Sequence, residues 1–182
     1  RSVKPLTRSC PIVRMFAWFQ AARTWFISLH GWPRRLIAML LGASMTLALP
    51  PFHVWPMLVP GLAALVWLID GSRPYGGVRF LSITRRAGWS AFAVGWWYGT
   101  GFFMAGLYWI SFSFLVEAAV FGWMIPFALF GLSAAMAIYI GLGSWVTFIS
   151  APTGLRRVLL IAIWLALFEW LRGWAFPGFP WN

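Results

Sequence analysis

Long uncharged, mainly apolar runs separated by short basic or Gly/Pro-rich breaks are the dominant pattern of this chain. Leu36 to Leu49 is one such run and stops at Pro50-Pro51; Val54 to Ile69 is the next and stops at Asp70. At about 1.5 Å of rise per residue, a run this short falls below a bilayer core about 30 Å thick. Flanking residues such as Trp32 and Trp55 are therefore expected at its boundaries. Charge disappears again from Ala87 to Val116 and from Ala118 to Ile149, and Ser150-Ala151-Pro152-Thr153-Gly154 then forms a turn before a last apolar run. Runs of that length must tilt, bend or protrude if they cross a membrane. The pattern predicts an all-α fold, a multi-pass transmembrane helical bundle of about five spanning helices. The spans are expected at about 36–50, 54–70, 89–112, 124–149 and 158–175, so that residues 36–182 form the membrane domain.

Residues 1–35 differ. They carry seven basic residues and no acid, and their apolar stretch Met15 to His30 is broken by Arg23. A secretory signal would place an unbroken apolar run of about 7–15 residues after its basic start. The segment is read instead as a basic cytoplasmic tail with a possible interfacial helix. The chain opens on Arg1, which makes Met15 a candidate natural start.

Composition sharpens this picture. The chain is 62% hydrophobic and 9% charged, against a soluble norm of about 25% charged. Its net charge of +11 would suggest nucleic acid in a soluble protein. Here the basic residues fall between apolar runs, as topology signals do, and no nucleic-acid partner is expected. If the N-terminus is cytoplasmic, thirteen of the fourteen basic residues lie on that side: seven in the tail, four in the loop from Asp70 to Arg86, and two before the last helix. The positive-inside rule favours that orientation and puts the C-terminal segment on the outer face. The fifteen Trp and seventeen Phe suit aromatic belts at headgroup depth.

Candidate chemistry is sparse. Gly95 and Gly99 make a G-x-x-x-G step, continued by Gly101, Ala105 and Gly106, and Gly131, Ala135, Gly141 and Gly143 make a second small-residue surface; both predict close helix packing. The carboxylates are Asp70, Glu117 and Glu169. Asp70 is expected among the loop arginines and Glu117 in a solvated outer turn. His53 reads as a hydrated turn residue rather than a ligand, and the single Cys10 permits neither an internal disulfide nor a cysteine metal cluster. No metal site and no cofactor are expected. Glu169 and Arg172 stand out, because at i and i+3 they share a helix face in an apolar segment, where charges need partners. They are followed by the Gly/Pro/aromatic tail Phe176 to Trp181, which cannot continue the helix past its prolines.

Three stretches together resemble the N-terminal membrane region of bacterial apolipoprotein N-acyltransferases. They are Leu47 to Pro56 (LALPPFHVWP), Gly95 to Phe103 with Gly106 to Ile110 (GWWYGTGFF, GLYWI), and Glu169 to Gly173 with Gly178 to Asn182 (EWLRG, GFPWN). The resemblance implies an acyltransferase of the bacterial inner membrane that moves a fatty acyl chain from a phospholipid donor to the N-terminal diacylglyceryl-cysteine of an apolipoprotein acceptor. It also implies a periplasmic nitrilase-like domain with a Glu-Lys-Cys triad acting through a thioester. None of Glu117, Glu169, Lys4 or Cys10 lies in such a motif, so no catalytic residue is expected among these 182 residues. Glu169, Arg172, Gly178, Phe179, Pro180 and Trp181 match the family signature and are expected to line a lipid path or to brace it. The sequence is expected to be the membrane portion alone; a shortened product, a split gene or a prematurely stopped copy would each give it. The alternatives are a small multi-pass transporter, which would more often show internal repeats, or a structural membrane subunit.

Overall fold

The computed structural model describes residues 11–72, 80–150 and 154–175, with side chains for 13–72, 87–150 and 154–175. Every regular element among them is helical. Helix α1 covers Pro11–Ser28, α2 Gly31–Met45, α3 Leu58–Asp70, α4 Phe80–Gly106, α7 Ile125–Ser150 and α8 Leu155–Ala175, with the short α5 Ser111–Leu115 and α6 Ala118–Phe121 between α4 and α7. Gly31 opens α2 and Gly154 immediately precedes α8, with φ of 63° and 81°. Those left-handed values are cheap only without a Cβ.

The contacts fix the direction of each helix. Arg34 lies beside Ser90 and Gly42 against Tyr98, so α2 and α4 run parallel. Met45 meets Gly61 while Arg34 reaches Leu68, so α3 runs against α2. Gly88 faces Trp145 and Gly99 faces Ala137, which makes α7 antiparallel to α4; Gly143 against Leu165, with Arg157 over Phe148, makes α8 antiparallel to α7. The five long helices from α2 onward thus alternate in direction. Helix α4 sits between α2 and α7, around a core of Leu65, Leu68, Ile69, Val94, Phe103 and Leu107.

Small residues allow that sandwich. A Cβ on Gly95 would strike the Ser144 side chain and come within 2.8 Å of the Ile140 carbonyl oxygen. On the other side of α4, a Cβ on Gly42 would overlap the Tyr98 carbonyl oxygen, and one on Gly101 would overlap that of Met39. Both glycine faces of α4 therefore carry backbone-to-backbone approach, and Trp96 Nε1 donates to the Ala134 carbonyl at 2.8 Å across the α4–α7 seam. The second small-residue surface is used unevenly. Gly141 faces Phe92 and Gly143 faces Leu165, whereas a Cβ on Gly131 would meet nothing within 4 Å.

Several boundaries depart from the sequence expectation. Helix α4 begins at Phe80 rather than near residue 89, so Arg85 and Arg86 continue a helix instead of a loop; Leu81, Arg85, Arg86 and Ala87 are all good helix formers. The same helix stops at Gly106 rather than near 112. Leu107 leaves helical geometry with φ −100° and ψ 11°, and Tyr108–Ile110 forms a tighter turn; glycine's low helix propensity at the preceding position favours such a break. Residues 11–28, in the basic segment for which an interfacial helix was allowed, form α1, which packs on α3 through Phe19 and Phe26 against Trp67, at ring-centroid distances of 4.9 and 5.7 Å.

The outer surface is far more apolar than that of a water-soluble domain. Arg157 is fully buried, while Trp89, Trp123, Phe127, Leu155 and Trp174 are each at least 65% exposed. Two stretches, Ala118–Ser150 and Leu155–Ala175, are long and apolar enough to cross a membrane, with mean hydropathies of 2.0 and 1.6. Trp55–Asp70 is a shorter apolar helix.

Candidate functional site

Helix α8 is apolar nearly all round, and its two charged ends are positioned differently. Near its C-terminus, Arg172 Nε and Nη2 both donate to Glu169 Oε2, at 3.0 and 2.7 Å. The i, i+3 spacing that predicts a pair is therefore realised. The guanidinium also lies 5.5 Å from the centroid of the Phe103 ring on α4, within cation–π range. Arg172 is buried while the Glu169 side chain remains 38% exposed. The arrangement fixes the cation against the core and leaves the Glu169 side chain partly exposed. It can orient a polar or charged group brought to that rim, and it offers no nucleophile.

About 15 residues earlier on the same helix, roughly 22 Å along its axis, Arg157 is buried and donates through Nη1 to Asp70 Oδ1 at the end of α3. Arg23 of α1 approaches the other Asp70 oxygen at 4.0 Å. One buried carboxylate thus ties together α1, α3 and α8. Close by, Arg34 of α2 donates to the Leu68 and Gly71 carbonyls and to the Ser72 and Ser90 hydroxyls, capping the C-terminal end of α3 where the helix dipole favours a cation.

The resemblance-bearing stretches are partly assembled by the fold. Phe103 from the second stands beneath Arg172 from the third. The first stretch forms a compact turn in which Val54 N–H donates to the Leu47 carbonyl at 2.9 Å and His53 N–H to that of Leu49 at 3.1 Å; His53 is exposed with φ 53°. Gly178, Phe179, Pro180 and Trp181 lie outside the described residues. Glu117 is exposed in the turn before α6, as expected. For Asp70 the partners are Arg23 and Arg157; the side chains of Arg73, Arg79, Arg85 and Arg86, its expected neighbours, lie outside the described residues. The sequence reading missed the Asp70–Arg157 pair and the buried Arg34. The available signal was an acid closing one apolar run and a basic residue opening another.

A double-mutant cycle measures the Glu169–Arg172 pair. Because one partner is buried and the other partly exposed, Glu169→Gln and Arg172→Gln are each expected to destabilise by about 1–3 kcal/mol, between the costs of exposed and buried pairs. The double change should recover part of the loss, and strictly additive losses would mean that the pair contributes no coupling.

Comparison with known proteins adds to this geometry. Residues 41–182 match the family described as "Apolipoprotein N-acyltransferase N-terminal domain". The chain is 44% identical over 153 residues to the apolipoprotein N-acyltransferase of Rhodopseudomonas palustris, covering 84% of this chain and 27% of that protein. It is 40% identical over 159 residues to the Brucella melitensis protein of the same name, covering 86% and 29%, and 38% identical over 156 residues to that of Rhizobium rhizogenes, covering 86% and 28%. The chain therefore spans under a third of the length of these relatives.

Proposed function

This chain belongs to the apolipoprotein N-acyltransferase family, and from that premise we propose that it is the membrane-embedded portion of an enzyme of lipoprotein maturation. The reaction proposed for the whole enzyme is transfer of a fatty acyl chain from a membrane phospholipid to the free α-amino group of the diacylglyceryl-cysteine that begins an apolipoprotein. In this reading the 182 residues do not perform the chemistry by themselves. They anchor the enzyme in the bacterial inner membrane through five spans, with the N-terminus cytoplasmic, and bring the donor lipid to the opposite rim.

The observation that carries the reading is the position of the Glu169–Arg172 pair. It stands on buried Phe103 at the end of α8 remote from Arg157, so a family signature lies at one rim of the bundle and the Arg23, Arg34 and Arg157 cluster at the other. The basic end faces the cytoplasm by the positive-inside rule, and the Glu169 end faces the periplasm. There the Glu169–Arg172 pair, braced by Phe103, meets the headgroup region of the donor lipid.

Single cysteines test the topology. In a Cys10→Ser background, Val116→Cys and Leu155→Cys place thiols on two exposed residues at opposite ends of the α7–α8 pair. A membrane-impermeant maleimide added to intact spheroplasts should label Val116→Cys and reach Leu155→Cys only after permeabilisation. Labelling of both from the same side would refute the alternating five-span arrangement.

A further inference from the structure

Between α2 and α4, at the end of the bundle that carries Arg157, lies an open cleft of about 300 Å³ lined by Arg34, Arg35, Trp89, Ser90, Ala93 and Val94. That volume is at the lower bound of about 300–1,000 Å³ usual for small-ligand sites. Arg34 is only 6% exposed. Its hydrogen bonds go to two carbonyls and two hydroxyls, all neutral, and its Nε has no partner. Among the described residues, the ion pairs join Asp70 to Arg23 and Arg157, and Glu169 to Arg172; Arg34 takes part in none. A buried cation calls for a counter-charge, and carbonyls at a helix C-terminus supply only a fraction of one. The next residue, Arg35, is exposed, and its guanidinium lies 5.2 Å from the Trp32 ring centroid. Trp89, 65% exposed, stands at the mouth.

The exposed Arg35 guanidinium, a hydroxyl, an exposed indole and apolar Ala93 and Val94, beside the charge of buried Arg34, match a phosphate attached to a lipid. Arginine forks suit phosphate oxygens bidentately, indoles settle at headgroup depth, and basic pockets between membrane helices hold anionic headgroups. We propose that this cleft binds the phosphate of an anionic phospholipid at the basic end of the bundle. The site is separate from the Glu169 rim, and the bound lipid bridges α2 and α4 rather than serving as acyl donor.

The test uses the purified 182-residue chain in zwitterionic phosphatidylcholine, titrated with phosphatidylglycerol and read by native mass spectrometry. Phosphatidylglycerol should be retained in preference to phosphatidylcholine. Arg35→Gln, which leaves the Arg34 cap in place, should weaken retention about tenfold, the scale of one charge-assisted hydrogen bond. Arg156→Gln removes the same charge from an exposed position on α8 and should leave retention unchanged. Equal weakening by both variants would mean unspecific attraction to a basic surface, and absence of preference between the lipids would remove the site; either overturns the proposal. Inorganic phosphate at matching concentration should not displace the lipid, and displacement would mark a free-anion site instead.

Discussion

Arg157→Gln should be among the most damaging single changes in this chain, at a cost of about 3–5 kcal/mol, the range for removing one partner of a buried pair. Arg157 is fully buried and the Asp70 side chain is 7% exposed. The variant therefore leaves a carboxylate in an apolar setting with Arg23, 4.0 Å away and 40% exposed, as its remaining ion-pair partner among the described residues. Asp70→Asn should also destabilise, because it removes the carboxylate that pairs with the buried Arg157 guanidinium. The double change removes both charges and should be milder than the sum of the singles. Chemical denaturation in mild detergent, followed by tryptophan fluorescence, gives all three values. A loss below about 1 kcal/mol for Arg157→Gln would place the pair among exposed, weakly coupled ones.

The second large effect concerns the α2–α4 seam. At Gly42 an added methyl would overlap the Tyr98 carbonyl oxygen and lie 2.7 Å from its carbon; at Gly101 it would overlap the Met39 carbonyl oxygen and lie 2.7 Å from its carbon. Both obstacles are backbone, so no side chain can rotate away and the helices must separate. Overpacking of a tight core costs about 1–3 kcal/mol. Gly42→Ala and Gly101→Ala are each expected at the upper end of that range, and Gly42→Leu should prevent accumulation of folded protein. Gly131→Ala is the contrast. Nothing lies within 4 Å of its added Cβ, and a helical Gly→Ala change gains about 0.5–1 kcal/mol, so it should be neutral or stabilising. Equal effects at Gly42, Gly101 and Gly131 would show that close backbone approach does not set the outcome, and equal gains would leave helix propensity alone to explain it.

Much of the architecture was legible because each long helix past the basic segment carries its own uninterrupted apolar run, and a run bounded by Pro50-Pro51 or by Ser150 to Gly154 marks its ends locally. The interruption at Leu107 was less visible, since Gly106 sits in a stretch where glycine recurs every few residues. Glu169 and Arg172 could be paired from spacing because both lie on one helix turn. Asp70 and Arg157 could not, being 87 positions apart and joined only after α3 and α8 converge. Arg34 is the instructive omission. In a basic N-terminal segment it reads as one topology charge among seven, yet the fold buries it and uses it to cap α3. The same blindness covers the glycines: the small-residue patterns suggested packing faces, but they did not tell Gly101, which meets backbone, from Gly131, which meets nothing, and they left out Gly42 altogether.

The central claim, that these residues are the working membrane portion of an apolipoprotein N-acyltransferase, is tested most directly by transplantation. Residues 41–182, the stretch matching the family domain, would replace the corresponding segment of the Rhodopseudomonas palustris enzyme in a strain depleted of its own activity. Mass spectrometry of a reporter lipoprotein would then count N-acylated termini. The expected result is restored N-acylation by the chimera and none by the 182-residue chain expressed alone. A chimera that inserts and accumulates at normal levels yet leaves the reporter diacylated, or N-acylation by the 182 residues alone, would contradict the account.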